Sequence, residues 1–259
     1  MERVAYDFLG NIVIVKFPKK TSAKEKKEIA RKILERHHSL KTILEKVQPI
    51  KGRLRKMKTR YILGEKTKEV LYRENGCVFR FNVDETYFSP RLSNERKDVA
   101  SKIKKGEEVF VMFAGVAPFP IVIAKKSKAK KVFSNEINRK ANKYAKLNVE
   151  LNNLKNKVEL VPGDIKKVAE KIEKKFDVIV MPRPKLKETF LKQAFKLSKK
   201  GTRIFYYDFC GEDEIEKVVE KIKSEAKKEN KKIKILNAKK AGEISPRQIR
   251  CRIDFEVLN

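Results

Sequence analysis

Between Tyr87 and Ala124 the chain places Arg91, Glu95 and Arg96 in YFSPRLSNER, one helix length ahead of VFVMFAGVAPFPIVIA. The second phrase has the form of a strand entering a glycine turn, Phe113-Ala114-Gly115, where a nucleotide-like cofactor can approach bare backbone. Charged residues of both signs beside such a turn suggest transfer of a group onto a polar acceptor. An open α/β sheet binds its ligands beyond the carboxyl ends of its strands. Glu136 ends the second strand of this stretch, where a ribose diol needs an acceptor. Asp164 follows Gly163 after the third strand, where an adenine amino group can be read. Either acid taken singly also suits a helix N-cap. The ordered series of turn, acid and acid, without GxGxxG, points to an S-adenosylmethionine fold rather than a dinucleotide binder. After the fourth strand comes Met181-Pro182-Arg183-Pro184, made stiff and non-helical by its two prolines. Such a loop either faces the substrate or merely leads into a helix.

Two groups of elements must position these residues. Val4 to Phe17 reads as a strand or hairpin closed by Pro18, and Ala23 to His38 as a helix capped by Thr21 or Ser22. Thr42 to Val47, Arg55 to Leu63, Glu69 to Glu74 and Cys77 to Val83 read as short strands, with Asn75-Gly76 as a hairpin turn. This gives a small α+β domain over residues 1–83. It carries Lys51, Arg53, Arg55, Lys56, Lys58 and Arg60. On a strand, Arg53 and Arg55 project from one face, lining a phosphate or base-edge surface or guarding a solvated edge strand. Over 84–259 strands alternate with helices: a helix over Asn94–Lys104, then strands at Glu108–Phe113, Lys131–Ser134, Val158–Val161, Asp177–Met181 and Thr202–Phe209. Helices near Pro120–Lys126, Arg139–Asn152, Ile165–Lys174, Lys187–Leu197 and Glu212–Glu229 separate them. Strands near Ile233–Asn237 and Arg250–Val257 close the chain. The fold class is therefore α/β, a doubly wound, mostly parallel sheet, with the last two strands as an antiparallel hairpin at or near its edge.

Composition bounds the partners. Among 259 residues, 65 Lys and Arg face 34 Asp and Glu, a net charge of +31. A surplus of this size attracts a polyanion, because each neutralised phosphate releases counterions. Heat adaptation alone would enrich glutamate beside lysine. Cys77, Cys210 and Cys251 are odd in number and far apart, which suits a reducing cytoplasm rather than a disulfide framework. The histidines are adjacent, His37 and His38, so zinc chemistry and a Ser/His/Asp triad are disfavoured and no metal is expected. No apolar run is long enough to span a bilayer and no signal core opens the chain, so a soluble, cytoplasmic protein is expected.

The chain resembles the archaeal and eukaryotic tRNA methyltransferases that modify ring nitrogen 1 of the guanosine at tRNA position 37. The resemblance runs from about Asp7 to the C-terminus, through KTILEKV, ILGEKT, ENGCVFRFNVDETYFSPRLSNER, MFAGVAPFPI and SPRQIRCRIDFEV. FSPRLSxER followed by FAGVxPF is specific to this group. It implies a class I methyltransferase sheet of Rossmann-like topology, S-adenosylmethionine as cofactor, and the anticodon stem-loop of tRNA as partner, met by a monomer. Residue by residue, it implies that Glu95 is the general base for the guanine ring proton and that Arg55 binds the guanine carbonyl oxygen. Arg91 and Arg96 orient Glu95, grip phosphate, or form ion pairs that fix the helix. Glu136 and Asp164 match the ribose and adenine contacts, alongside the backbone of Phe113, Ala114 and Gly115. Pro184 matches the proline beside the transferred methyl, with Pro182 and Arg183 on the substrate side.

This sequence departs from the family pattern at three places. Val111 stands where an acid is usual, Ala117 where a glycine is, and Pro182 where an asparagine amide contacts guanine. The separate N-terminal tRNA-elbow domain of full-length members is expected to be absent. Two alternatives stay open: transfer of the aminocarboxypropyl group in the wybutosine pathway, against which Arg91-Leu92-Ser93 speaks, and a non-catalytic RNA-binding paralogue.

Overall fold

The computed structural model describes residues 4–52 and 54–259. The chain divides into two compact units, Met1–Pro90 and Arg91–Asn259. In the first, β1 (Ala5–Leu9) and β2 (Ile12–Lys16) form the hairpin that the apolar run GNIVIVKF predicts. Its turn residue, Gly10, has φ +56 and lies so close to the Leu71 carbonyl that a Cβ would meet that oxygen at 2.0 Å. Helix α1 (Ala23–Arg36) starts with a capping box, in which Ser22 Oγ accepts the Glu25 N–H and the Glu25 carboxylate accepts the Ser22 N–H. The helix carries the chain over to β3 (Thr42–Lys51), parallel to β2, and β4 (Lys56–Gly64) returns antiparallel, giving the order β1-β2-β3-β4. Val13, Val15, Phe17, Ala30, Ile33, Leu40 and Ile43 form its core. A separate hairpin joins β5 (Glu69–Glu74) to β6 (Cys77–Asn82) through Asn75 and Gly76, both at positive φ. Residues 84–90 belong to this unit for a physical reason. Asp84 accepts from the Thr59 amide and hydroxyl, and Phe88 stacks on Phe81 at 4.8 Å.

One expectation in this unit is corrected. Arg55 is not the first residue of a strand but part of the β3–β4 reversal, at φ 52, with its N–H donating to the Gly52 carbonyl at 3.1 Å. The chain reverses there, and left-handed residues accomplish the reversal. Arg53, and with it the face expected to be shared with Arg55, lies outside the described residues.

The second unit is a 7-stranded sheet of order β12-β13-β11-β10-β7-β8-β9. A short 3-10 turn (Pro90–Leu92) leads into α2 (Ser93–Ser101). Strands β7 (Glu108–Val111), β8 (Lys131–Glu136), β9 (Val158–Pro162), β10 (Phe176–Met181) and β11 (Ser198–Gly211) run parallel. Between them lie α3 (Pro118–Lys126), α4 (Arg139–Leu151), α5 (Ile165–Lys171) and α6 (Leu191–Lys196), and α7 (Ile215–Lys228) follows β11. Apolar strand residues Phe110, Ile179, Ile204, Ile253 and Phe255 pack with Leu191, Phe195, Val219 and Ile222 from α6 and α7. The last two strands, β12 (Ile233–Ser245) and β13 (Gln248–Val257), form the predicted antiparallel hairpin, with β12 at the edge. The doubly wound α/β class holds. Helix α6, expected from Lys187, begins only at Leu191. Phe190 is left-handed at φ 59, and residues 184–188 are held in a loop described below. Among the described residues, no helix is long and apolar enough to cross a membrane.

Candidate functional site

The glycine turn is built from the ends of three adjacent strands. Beyond β7, Phe113, Gly115 and Ala117 have φ of 56, 60 and 67, so the backbone passes through left-handed geometry at every second residue. Neighbouring strands hold it there. The Ala114 N–H donates to the Asn135 carbonyl at 2.8 Å and the Gly115 N–H to Glu136 Oε2 at 2.8 Å. Glu136 Oε1 accepts the Asn138 N–H at 2.7 Å, while Asn138 itself caps α4. Glu136 is therefore not the helix cap but the acid that ties the glycine turn to the end of β8. A carboxylate has about four acceptor positions, so the bonded amides of Gly115, Ile137 and Asn138 leave capacity for a ribose hydroxyl. Burial raises the Glu136 carboxyl above its ordinary range, against the opposing pull of the Asn138, Gly115 and Ile137 amides.

The third strand end joins the same cluster. The Gly163 N–H donates to the Glu136 carbonyl at 2.8 Å, and Asn135 Nδ2 donates to the carbonyls of Val161 and Gly163. Asp164 accepts the Lys166 N–H at 3.1 Å and so caps α5. The N-cap role weighed for Asp164 is realised. From Asn148, Nδ2 reaches the Val116 carbonyl at 3.0 Å and pins the turn from the α4 side. Val111 is buried between Val180 and Ser134 of the flanking strands. Ser134 Oγ, on the strand residue paired with it, is buried without a hydrogen-bond partner among the described residues.

Glu95, in the first turn of α2, is 8% exposed and accepts from three groups. Oε2 takes the Tyr207 hydroxyl at 3.0 Å and an Arg252 guanidinium N–H at 2.8 Å, and Oε1 pairs with Lys239 Nζ at 2.8 Å. Arg252 is itself buried and bonds both oxygens of Asp254, at 2.7 and 3.0 Å, and Asp98 at 2.6 Å. Burial works against the charge on Asp98, but Arg252, Lys239 and Lys102 outweigh it and hold that carboxyl below its ordinary range. Burial and then the Glu95 charge push the Tyr207 phenol well above its ordinary value, so it stays a donor. Helix α2 packs against α3, the helix that starts at the glycine turn, and Phe119 of α3 meets the Tyr207 ring at 5.7 Å. The geometry thus sets Glu95 beside the helix that leaves the turn.

The remaining expected site residues divide. Arg91 is exposed, whereas Arg96 is buried with its guanidinium 5.8 Å from the Phe119 ring. Arg55, in the first unit, stacks its guanidinium on Tyr87 at 3.8 Å. Pro182 and Pro184 are half-buried on either side of Arg183. Arg183, expected on the substrate side, points into the fold. It is 1% exposed, turned inward and bonded to Asp208 and to the carbonyls of Leu186 and Glu188, so its charge is used inside the fold.

Sequence reading missed Tyr207, Lys239, Arg252 and Asp254. A signal for two of them was present. In RCRIDF, Arg252 and Asp254 alternate with Cys251, Ile253 and Phe255, and charge at two-residue spacing in a strand paired on both sides marks a buried ionic row. Tyr207 and Lys239 carry no such local mark.

Comparison with known proteins places the chain in a family. Residues 70–236 match the TRM5/TYW2 methyltransferase domain, and residues 2–67 match the TYW2 N-terminal domain. The chain is 38% identical to the tRNA (guanine(37)-N(1))-methyltransferase Trm5b of Pyrococcus abyssi, over 98% of this chain and 74% of that protein. The crystal structure of wild-type Trm5b from that organism superposes with a TM-score of 0.87, covering 98% of this chain and 75% of the other. The tRNA (guanine(37)-N(1))/4-demethylwyosine(37)-methyltransferase Taw22 of Nanoarchaeum equitans is 33% identical over 98% of this chain and 100% of its own length. The crystal structure of M. jannaschii TYW2 in complex with AdoMet matches with a TM-score of 0.72 at 25% identity, covering 98% of this chain and 100% of the other. By its matched domains and by its identity to Trm5b along nearly its whole length, the chain belongs to the TRM5/TYW2 methyltransferase family.

Proposed function

We propose that the protein is an S-adenosylmethionine-dependent tRNA methyltransferase that methylates ring nitrogen 1 of the guanosine at tRNA position 37, or the corresponding position of a wyosine-type derivative there. The observation that carries this reading is the coexistence, in one unit, of the Glu136-bound glycine turn and the buried, cation-paired Glu95 on a helix packed against the one leaving that turn. The left-handed turn and the spare acceptor capacity of Glu136 fit an adenosine ribose, and the cofactor when bound supplies an electrophilic methyl group on a sulfonium. Phe113, Ala114 and Gly115 would offer the backbone, Asp164 the adenine contact and Pro184 the wall beside the methyl. Glu95 would take the proton from the guanine ring nitrogen, which is a poor nucleophile until that proton leaves. Arg55 would hold the guanine carbonyl oxygen and offset the charge that then develops there. To reach Glu95 the base must leave the anticodon-loop stack. The surplus of positive charge suits the anticodon stem-loop as partner, and we take the enzyme to act as a cytoplasmic monomer, with Arg91 and Arg96 serving the acceptor side.

Replacing Glu95 with Gln tests the base role. Cofactor and tRNA affinity should persist while the single-turnover rate falls by about 10²- to 10⁴-fold. An unchanged rate would remove Glu95 from the reaction.

A second reading is favoured by one observation, the match of residues 2–67 to the TYW2 N-terminal domain. On that reading the transferred group is aminocarboxypropyl. The mass of the product nucleoside separates the two at once, and Arg91-Leu92-Ser93 supports methyl transfer.

A further inference from the structure

The loop between β10 and α6 folds around its own arginine. The Arg183 side chain is fully buried. One terminal nitrogen pairs with Asp208 of β11, and the other donates to the Leu186 carbonyl at 2.6 Å and the Glu188 carbonyl at 2.5 Å. The Arg183 amide closes a tight turn onto the Met181 carbonyl at 2.7 Å. Asp208 is equally engaged, by the Phe209 N–H at 2.8 Å, the Tyr206 hydroxyl at 3.1 Å and Lys221 Nζ at 3.3 Å. A guanidinium offers five N–H groups in a rigid fork, which suits one carboxylate and two carbonyls two residues apart. Pro182 and Pro184 fix φ on either side and remove competing donors.

Both ends of the loop are tied to the cofactor side. At its start, β10 pairs with β7, and the Met112 N–H donates to the Val180 carbonyl at 2.9 Å. At its end, Phe190 meets Phe113 of the cofactor turn edge-on, with ring centroids 4.9 Å apart. The outer edge of the loop, Lys185 and Lys187, stays exposed.

We infer that Arg183 is a positioning residue that clamps residues 182–188 into one backbone shape, so that the loop presents main chain and Pro184, rather than a side-chain amide, to the acceptor base. This rests on the methyl-transfer reading above. Pro182 removes the asparagine amide of the family pattern, and the clamp supplies rigidity where a specific side-chain contact is missing.

The test uses Arg183→Met and Arg183→Lys in the full chain, with two independent readouts. The first is the rate of tryptic cleavage after Lys185; the bond after Arg183 is protected by Pro184. The second is single-turnover methylation of an unmodified tRNA transcript, set against S-adenosylmethionine affinity from calorimetry. Arg183→Met should expose Lys185 to trypsin and lower the single-turnover rate by about 10- to 100-fold, the cost of a misplaced reacting group. Cofactor affinity should stay within about threefold, because the Glu136 contacts are untouched. Arg183→Lys restores a charge for Asp208 but not the fork to both carbonyls, so it should fold even where the Met variant does not and still show the loosened loop and slowed transfer. A folded Lys variant with wild-type trypsin resistance and wild-type rate overturns the clamp. So does a loss confined to cofactor affinity. If the wild-type protein methylates no tRNA, the functional reading fails while the trypsin arm still decides the clamp.

Discussion

Glu136 and Glu95 show how differently two buried acids can be held. Among the described residues Glu136 is bonded by neutral backbone amides, so burial dominates and its carboxyl is raised above its ordinary range. Glu95 lies between two cations and a phenol. The sign for Glu136 follows from linkage. Its folded-state value is raised, so its contribution to stability is fully present below the unfolded value and lost as pH rises through the folded one. At neutral pH its charge is thus a cost to folding, and on the proposed reading the benefit is a ribose acceptor. Calorimetry with S-adenosylmethionine across a falling pH series should therefore show affinity dropping with a midpoint above 4.5, the value at which an unperturbed Glu would titrate. A pH-independent affinity would remove Glu136 from the cofactor contact. The part of this site that is written locally, an acid ending a strand beside a glycine turn, was legible in the sequence. The inward turn of Arg183 was not, because its partner Asp208 lies on another strand and only the assembled sheet brings the two together.

Among the elements, the β12–β13 hairpin does more than close the sheet. It delivers Lys239 and Arg252 to Glu95 of α2, so a hairpin that the sequence places at or near the sheet edge supplies two of the three groups bonded to the candidate base. Removing Arg252 takes the guanidinium from buried Asp254 and leaves Glu95 with Lys239 as its counter-charge. Arg252→Met should cost about 3 to 5 kcal/mol in denaturant unfolding, and a loss under 1 kcal/mol would show the ionic row to be incidental. Strand and helix identity came through periodicity almost everywhere. The exceptions are conformational: Arg55 and Phe190 adopt positive φ without being glycine, and neither the start of β4 nor that of α6 can be read where a non-glycine residue turns left-handed. Composition does not mark such residues, because tertiary contacts hold them there. Phe190 packs on Phe113, and Arg55 stacks on Tyr87.

At the scale of the whole molecule, a net charge of +31 is carried by a chain whose second unit holds both the glycine turn and the candidate base. Charge alone identified a polyanion; it took the motifs to identify tRNA, and the comparisons to establish the family. The three atypical positions are absorbed by the fold: Val111 is buried in the sheet, Ala117 adopts the left-handed turn geometry, and Pro182 flanks a clamped loop. The most direct measurement is incubation with methyl-labelled S-adenosylmethionine and unmodified tRNA transcripts carrying either guanosine or adenosine at position 37, followed by nucleoside mass spectrometry. The account predicts labelled 1-methylguanosine from the first transcript and no label from the second. Equal labelling of both, or label on any other nucleoside, would contradict it.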